Sequence, residues 1–398
     1  MHATGDQVEV ASPHRSGARP ALATDSGEPV RLLVLSSELP PAGYGSATAL
    51  ATFLEAVERH TDWRVHVVAP ASRRRDPSPS WDRVMVHRTL CCEHADGLRH
   101  SPLRLARFPV DAVARALRRQ LSPSVVLSWQ ALPAGVAGAV LARCLGVPHV
   151  ARLNGPELAA CPGVTGAAHR LVLRCLLEAA DGVVVKAEQE LDAIRDADYR
   201  GEARLIPNVT PPPPTRAPRA CHDPIRLLVV SRLMPVKAVG LVLDALLLLE
   251  SRAPGGFTVT VAGHGPLGAE LRAQAQRGRL PVSFLGRVPR GQMATLYADH
   301  DVLVHPSEWE GSCNAALEAL AAGLPVIGRT SALRDVVRDG EDGLLLPRPS
   351  AVELAEVLYD RRWSALPRQR WPRQSRTGRD LAADYCALFA ALIRARLP

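Results

Sequence analysis

The chain is predicted to fold as two Rossmann-like, doubly wound α/β domains, each a parallel sheet between helices, facing each other across a cleft. Three observations predict this. Short β-branched or Leu-rich runs alternate with longer helical patterns throughout. A proline-rich stretch interrupts the alternation near the middle. With 398 residues the chain is long enough for two separate cores.

Residues 1–29 are rich in Ala, Ser, Gly, Pro and charge, with no apolar stretch of signal-peptide type, and read as a disordered tail. A first Rossmann-like domain is expected over 30–209. Its strands fall at 31–36, 64–69, 84–88, 124–128, 149–153 and 182–186, with a last strand before Pro207 and Asn208, and its helices include 46–59, 133–145 and 168–179. Residues 210–223 are the Pro-rich linker, since proline stiffens an extended chain and cannot donate to a sheet. The alternation restarts over 224–362, with strands at 225–231, 257–262, 282–286, 302–305, 325–328 and 343–346. Helices there fall at 238–250, 267–276, 291–298, 312–322 and 351–361. An Arg/Pro-rich loop over 363–379 leads to a final helix within 380–398, with Leu381, Tyr385, Leu388, Leu392 and Ile393 near one face.

Composition narrows the function class. The formal charge is +8, almost all from Arg, but the basic residues are dispersed and aromatics are only 4%, which argues against nucleic acid. Eight cysteines show no C-x-x-C pair, so neither a zinc site nor a disulfide framework is expected; buried free thiols in a cytoplasmic protein fit better. No apolar run of about 18 residues is present. A basic amphipathic segment at 103–121, interrupted by Pro109, allows peripheral contact with an anionic membrane, although a solvated surface helix is the plainer reading. The oligomeric state is not legible.

Four clusters carry chemistry, each placed after a strand, where ligands bind in such sheets. The strongest is Glu310-Gly311-Ser312-Cys313-Asn314, leading to Glu318. Gly311 is expected to open a helix, so that free N–H groups and the positive dipole end face a diphosphate. Eight helical residues rise about 12 Å, which would set Glu310 against a sugar and Glu318 against a ribose. Arg232 and Lys237 follow the strand at 225–231 and suit a departing pyrophosphate, although two solvated cations are the plain alternative. Gly263 and Gly265 lie in a G-x-G-x-x-G run, yet no acidic residue stands about 20 positions on to take a ribose. Close approach of backbone to a ligand is the better account of these glycines. Gly43 and Gly45 form a glycine loop after the first strand. Asp196-Ala197-Asp198 matches a metal-binding D-x-D pattern but sits at an expected helix end, so no metal is assigned.

In this order, with Ala321-Ala322-Gly323-Leu324-Pro325 and Asp339-Gly340-Glu341-Asp342-Gly343 following, the blocks resemble retaining glycosyltransferase family four, whose fold is GT-B. The resemblance implies that Arg232 and Lys237 bind the donor diphosphate, Glu310 the donor sugar, Glu318 the ribose, and that Gly45 lies under the phosphates. It also implies a last helix that crosses back to the first domain. Glu310, Lys237 and Arg232 are the catalytic candidates. Gly311, Ser312, Cys313 and Asn314 join the donor site, and Asn154, Glu157 and Trp129 are acceptor-side candidates. Asn154-Gly155-Pro156-Glu157 departs from the usual His-Gly pattern, and Asp335 stands where a Glu is common. The expected activity is hexose transfer from a nucleotide-diphosphate donor, UDP-sugar favoured, to a hydroxyl of a glycan, lipid-linked or small natural-product acceptor. No cofactor beyond the co-substrate is expected. A non-catalytic nucleotide-sugar-binding protein and an NAD(P)-dependent oxidoreductase are the alternatives.

Overall fold

The computed structural model describes residues 29–39, 45–71, 81–92, 102–155, 163–209, 221–366 and 376–396. Gly43, Glu157, the N-terminal tail and most of the Pro-rich linker lie outside them.

The first sheet has seven parallel strands: β1 (Arg31–Leu35), β2 (Arg64–Ala71), β3 (Val84–Cys92), β4 (Val125–Ser128), β5 (His149–Arg152), β6 (Gly182–Val185) and β7 (Ala203–Leu205), in the order β3-β2-β1-β4-β5-β6-β7. Helices α1 (Gly45–His60), α2 (Pro102–Arg118), α3 (Ala134–Leu145), α4 (Gly163–Glu178) and α5 (Glu188–Asp196) cross between them. The second sheet has six: β8 (Ile225–Val230), β9 (Phe257–Ala262), β10 (Val282–Gly286), β11 (Val302–His305), β12 (Val326–Arg329) and β13 (Gly343–Leu346), in the order β10-β9-β8-β11-β12-β13. Its helices are α6 (Val239–Arg252), α7 (Gly268–Arg277), α8 (Arg290–Ala298), α9 (Asn314–Ala321), α10 (Thr330–Leu333) and α11 (Ala351–Tyr359). The chain closes with α12 (Gly378–Arg394).

Both sheets are doubly wound and parallel. The strand order switches between β1 and β4, and again between β8 and β11, and crevices open at such points beyond the strand ends. The central strands β4 and β11 are buried along their whole length, each a short apolar run closed by one buried polar residue, Ser128 or His305.

Two aromatic-rich cores hold the halves. Phe53 of α1 meets Trp129 at 5.2 Å and Tyr385 of α12 at 4.8 Å between ring centres. Helix α12 thus packs on α1 and belongs to the first core. Its start is secured by a capping box, in which Thr377 accepts from the Asp380 amide and Asp380 accepts from the Thr377 amide. The second core closes over Trp363, wholly buried in a short 3-10 turn where the sequence reads as loop.

Three other expectations change. Helix α2 runs through Pro109 without a break, because Phe108, Ala112 and Ala116 are buried against the sheet and hold the turn that proline weakens. Cys144 and Cys175 are exposed rather than buried, whereas Cys313 and Cys386 are buried. Helix α9 begins at Asn314, not at Gly311. Among the described residues no helix is long and apolar enough to cross a membrane.

Candidate functional site

The site lies where β8 and β11 end side by side. After β8 the chain passes Ser231–Met234 and makes a 3-10 turn, Pro235–Lys237. Met234 is extended, as the residue before proline prefers, and Ala238 closes the turn at φ +47°. The loop after β11 is stitched to this turn: the Glu308 amide donates to Val236 O at 2.8 Å, and Ser307 Oγ to the same carbonyl at 3.2 Å. Glu310 therefore arrives beside Lys237.

Lys237 Nζ stands 2.5 Å from Glu310 Oε1, and His305 Nε2 stands 2.7 Å from the same oxygen. Cys313 Sγ lies 3.4 Å from His305 Nε2. Burial alone would favour a neutral Glu310, but the Lys237 ammonium and the His305 ring hold its carboxyl far below the usual range. Burial likewise opposes charge on His305, yet the neighbouring Cys313 sulfur and the Glu310 carboxylate keep the ring protonated, with its pKa raised to about 10. His305, Glu310 and Cys313 are a ligand set of zinc type, with atoms within 4.8 Å of one another. The Lys237 ammonium engages the same carboxylate oxygen that a metal would need.

Because α9 starts at Asn314, Glu310 sits in the loop before the helix and its side chain points back to the β8 turn. The reason is steric. A Cβ on Gly311 would lie 2.1 Å from Glu190 Oε1 and 2.9 Å from Lys186 Nζ, so this loop is pressed against the other half of the molecule and cannot wind earlier. Glu318 lies just over one turn inside α9. It accepts from Tyr297 Oη at 2.8 Å, and burial raises its pKa. The expected 12 Å helical span between Glu310 and Glu318 is therefore replaced by a loop followed by little more than one turn. The first N–H groups of α9 retain no intrahelical acceptors.

The glycines of 263–268 also have a different explanation. At φ +146°, Gly263 places its missing Cβ 1.8 Å from Ser231 O, and that of Gly265 would lie 2.4 Å from Leu233 O. Leu233 N donates to His264 O, and Leu267 N to Leu233 O. The glycines let the β9 loop lie on the β8 loop, which holds the half-buried Arg232 and supports Lys237.

The first half closes over this surface. Asn314 Nδ2 donates to Gly45 O at 3.3 Å, and Asn208 Nδ2 to Asn314 Oδ1 at 2.7 Å. Gly155, at φ +83°, leaves room for Trp309 and the Gly311 amide. Gln189 Nε2 donates to Gly311 O at 2.9 Å, and its amide to Asp335 Oδ2 at 3.2 Å. Arg334 pairs with Asp192 at 2.6 Å. Thus Gly45 and the Asn154–Gly155 turn of the first half meet the Gly311–Asn314 loop that carries Glu310 beside Lys237. Ser312 is half-buried in the loop between Gly311 and Cys313. Asn154 donates to Ser46 Oγ at 3.2 Å and to Trp129 O at 2.5 Å. Trp129 itself is only 1% exposed, beneath the Arg152 guanidinium at 3.9 Å. A cavity of about 420 Å³ opens beside Asn314 and Glu318 rather than over the Lys237–Glu310 pair.

Sequence reading missed Lys186, Gln189 and Glu190. The i,i+4 spacing of Lys186 and Glu190 after a strand is a detectable ion-pair signal, and the two are buried and paired at 3.0 Å. Nothing local reveals that they face Gly311, about 120 residues away. The D-x-D acids are set apart: Asp196 ends α5, and Asp198, at φ +62°, pairs with Arg200.

Comparison with known proteins agrees with this architecture. Residues 45–209 match the family described as Glycosyl transferase 4-like domain, and residues 224–360 match Glycosyl transferases group 1. The GDP-mannose-dependent alpha-mannosyltransferase of Mycobacterium tuberculosis is 29% identical over 380 residues, covering 86% of this chain and 93% of its own. The amylovoran biosynthesis glycosyltransferase AmsK of Erwinia amylovora is 31% identical over 148 residues, about a third of each chain. Among solved structures, Anabaena HepE in complex with UDP and glucose superposes with a TM-score of 0.69 at 19% identity, covering 91% of this chain and all of that one. With both halves matched and the GT-B architecture in place, the chain belongs to glycosyltransferase family four and is a retaining-type glycosyltransferase that uses a nucleotide-sugar donor.

Proposed function

We propose that the protein transfers a hexose, with retention, from a UDP-sugar to a hydroxyl of a glycan, lipid-linked or small natural-product acceptor. The observation that carries this reading is the convergence of Lys237, Glu310 and the open N-terminus of α9 at the β8/β11 switch point, with Gly45 across the mouth. In this reading the α9 amides, Arg232 and Lys237 hold the diphosphate, with Gly45 above it; Gly43, outside the described residues, belongs to the same donor-binding set. Gly263 and Gly265 bear on the donor through the β8 loop, and Gly311, Ser312, Cys313 and Asn314 form the rim. Glu310 binds donor-sugar hydroxyls, Glu318 the ribose hydroxyls, and Asn154, Glu157 and Trp129 the acceptor side. The domain boundary is placed in 210–223.

Charge grows on the β-phosphate as its bond to the anomeric carbon breaks, and fixed cations and amides in a closed crevice favour that state. The acceptor oxygen forms its bond on the same face, and its proton passes to the departing phosphate oxygen. Neutralisation by Arg232, Lys237 and backbone amides gives a metal-independent reaction. UDP is favoured although a relative is named for GDP-mannose; HepE was solved with UDP and glucose. AmsK's name, amylovoran biosynthesis, supports polysaccharide assembly as one setting. Helix α2, with Val110 and Leu117 exposed beside Arg107 and Arg118, is suited to peripheral contact with an anionic membrane from the cytoplasmic side.

Thermal unfolding against UDP-, GDP- and dTDP-sugars, followed by NMR of the product's anomeric centre, tests the reading. A selective UDP-sugar shift and a retained configuration are expected. An inverted product, or donor binding with no transfer to any acceptor, would overturn it.

A further inference from the structure

Two groups share one oxygen of Glu310, and the other oxygen is left over. Lys237 Nζ and His305 Nε2 both bond Oε1, at 2.5 and 2.7 Å. Among the described residues nothing is bonded to Oε2, and that atom is not sealed inside the protein. The carboxylate is therefore pinned by one oxygen and offers the second, which can only accept hydrogen bonds.

On the donor reading above, Lys237 has a second duty. A diphosphate carries more negative charge than one carboxylate, and the flexible lysine stem lets the ammonium turn toward it. Glu310 then loses one of the two groups that keep it ionised against burial. His305 cannot follow. It ends β11, is only 2% exposed, and has Cys313 Sγ 3.4 Å from the same Nε2.

Nothing about this histidine serves the core. Its Nδ1 is buried with no hydrogen-bond partner, which costs stability. An apolar residue would bury here without that cost, as Val302, Leu303 and Val304 do in the same strand. The fold thus carries a locally unfavourable residue whose one bonded nitrogen rests on a donor-site carboxylate, and such exceptions gather at functional sites.

We propose that His305 is a positioning residue for the donor sugar: it keeps Glu310 anchored by Oε1 after Lys237 has moved to the diphosphate, so that Oε2 stays aligned on a sugar hydroxyl. This rests on the donor reading and divides the labour within it. Lys237 serves the diphosphate, which UDP shares with every UDP-sugar. His305 serves the sugar alone.

Calorimetric titration of the full chain with UDP, and with the UDP-sugar that the thermal screen selects, separates the two roles. His305→Leu removes the donor nitrogen and keeps an apolar body in the strand. Its affinity for the UDP-sugar should fall about ten- to hundredfold, the worth of a charged hydrogen bond, while its affinity for UDP stays within about twofold of wild type. His305→Gln, whose side-chain amide can donate to Glu310, should recover most of the loss. Lys237→Met should show the converse: both ligands weakened by the same factor, with the contribution of the sugar intact. That second variant keeps the inference open to refutation even if His305→Leu does not fold. Equal weakening of UDP and UDP-sugar by His305→Leu would mark a loosened loop and overturn the proposal. So would no change in either affinity, or loss of the sugar's contribution in Lys237→Met. A wild type that binds no UDP-sugar would defeat the donor reading itself, and that result is read before any variant is compared.

Discussion

Replacing Lys237 by methionine keeps most of the unbranched side chain and removes the ammonium group, with its charge and its donors. In the free protein the ammonium shares Glu310 Oε1 with His305, at 2.5 and 2.7 Å, and both carboxylate and amine are largely buried. Removing one partner of a buried pair costs about 3–5 kcal/mol when the other charge is left alone. Here His305 remains, protonated and bonded, so the loss is closer to that of one charged hydrogen bond, about 1.5–3 kcal/mol. For domains of this size that lowers Tm by roughly 3–12 °C and leaves the protein folded at room temperature. Turnover should fall much further. A group aimed at charge developing in the transition state is worth about 10²–10³ in kcat. Circular dichroism on heating measures the first effect, and UDP release in single-turnover mixing measures the second. A folded Lys237→Met enzyme that transfers sugar within threefold of wild type would refute the reasoning, because among the described residues only His305 is bonded to Glu310 besides Lys237.

Further expectations follow from the same geometry. Gly263→Ala would set a methyl 1.8 Å from Ser231 O at φ +146°, so a loss of more than about 2 kcal/mol in denaturant unfolding is expected, together with weaker donor binding as the β8 loop shifts. Gly138→Ala drives a methyl to 2.1 Å from Ser128 Oγ and 2.4 Å from His149 Nε2, and should destabilise by about 1–3 kcal/mol without touching the crevice; unchanged stability would show that α3 can slide on the sheet. Buried His149 has its pKa lowered to about 4, so the unfolded chain binds its proton first. Stability should therefore fall by about 3 kcal/mol as pH drops from 6.5 to 4, and His149→Gln should flatten that limb of the titration. His305 acts in the opposite sense, since its raised pKa gives stability that is present below 6.5 and lost as pH rises toward 10. A stability optimum near neutrality, scored by chemical unfolding across pH, is the joint expectation.

Much of the architecture was legible because each strand and helix announces itself locally. Runs such as Val302–His305 have no polar alternation and so must be central, and Pro235 marks the turn that presents Lys237. The order of these elements determined two doubly wound sheets, since parallel strands require crossovers and right-handed crossovers leave few arrangements. The sequence by itself also determined which residue types stand at the ends of β8 and β11. Tertiary structure decided what they do with each other. That Glu310 turns back onto Lys237 and His305, that α9 starts three residues late because Glu190 and Lys186 press on Gly311, and that Arg152 is buried among Asn154, Asn208 and Trp129 all depend on contacts between distant segments. Such contacts leave no periodicity in the chain. They arise only when two independently patterned halves close, and packing density then leaves one position for each side chain.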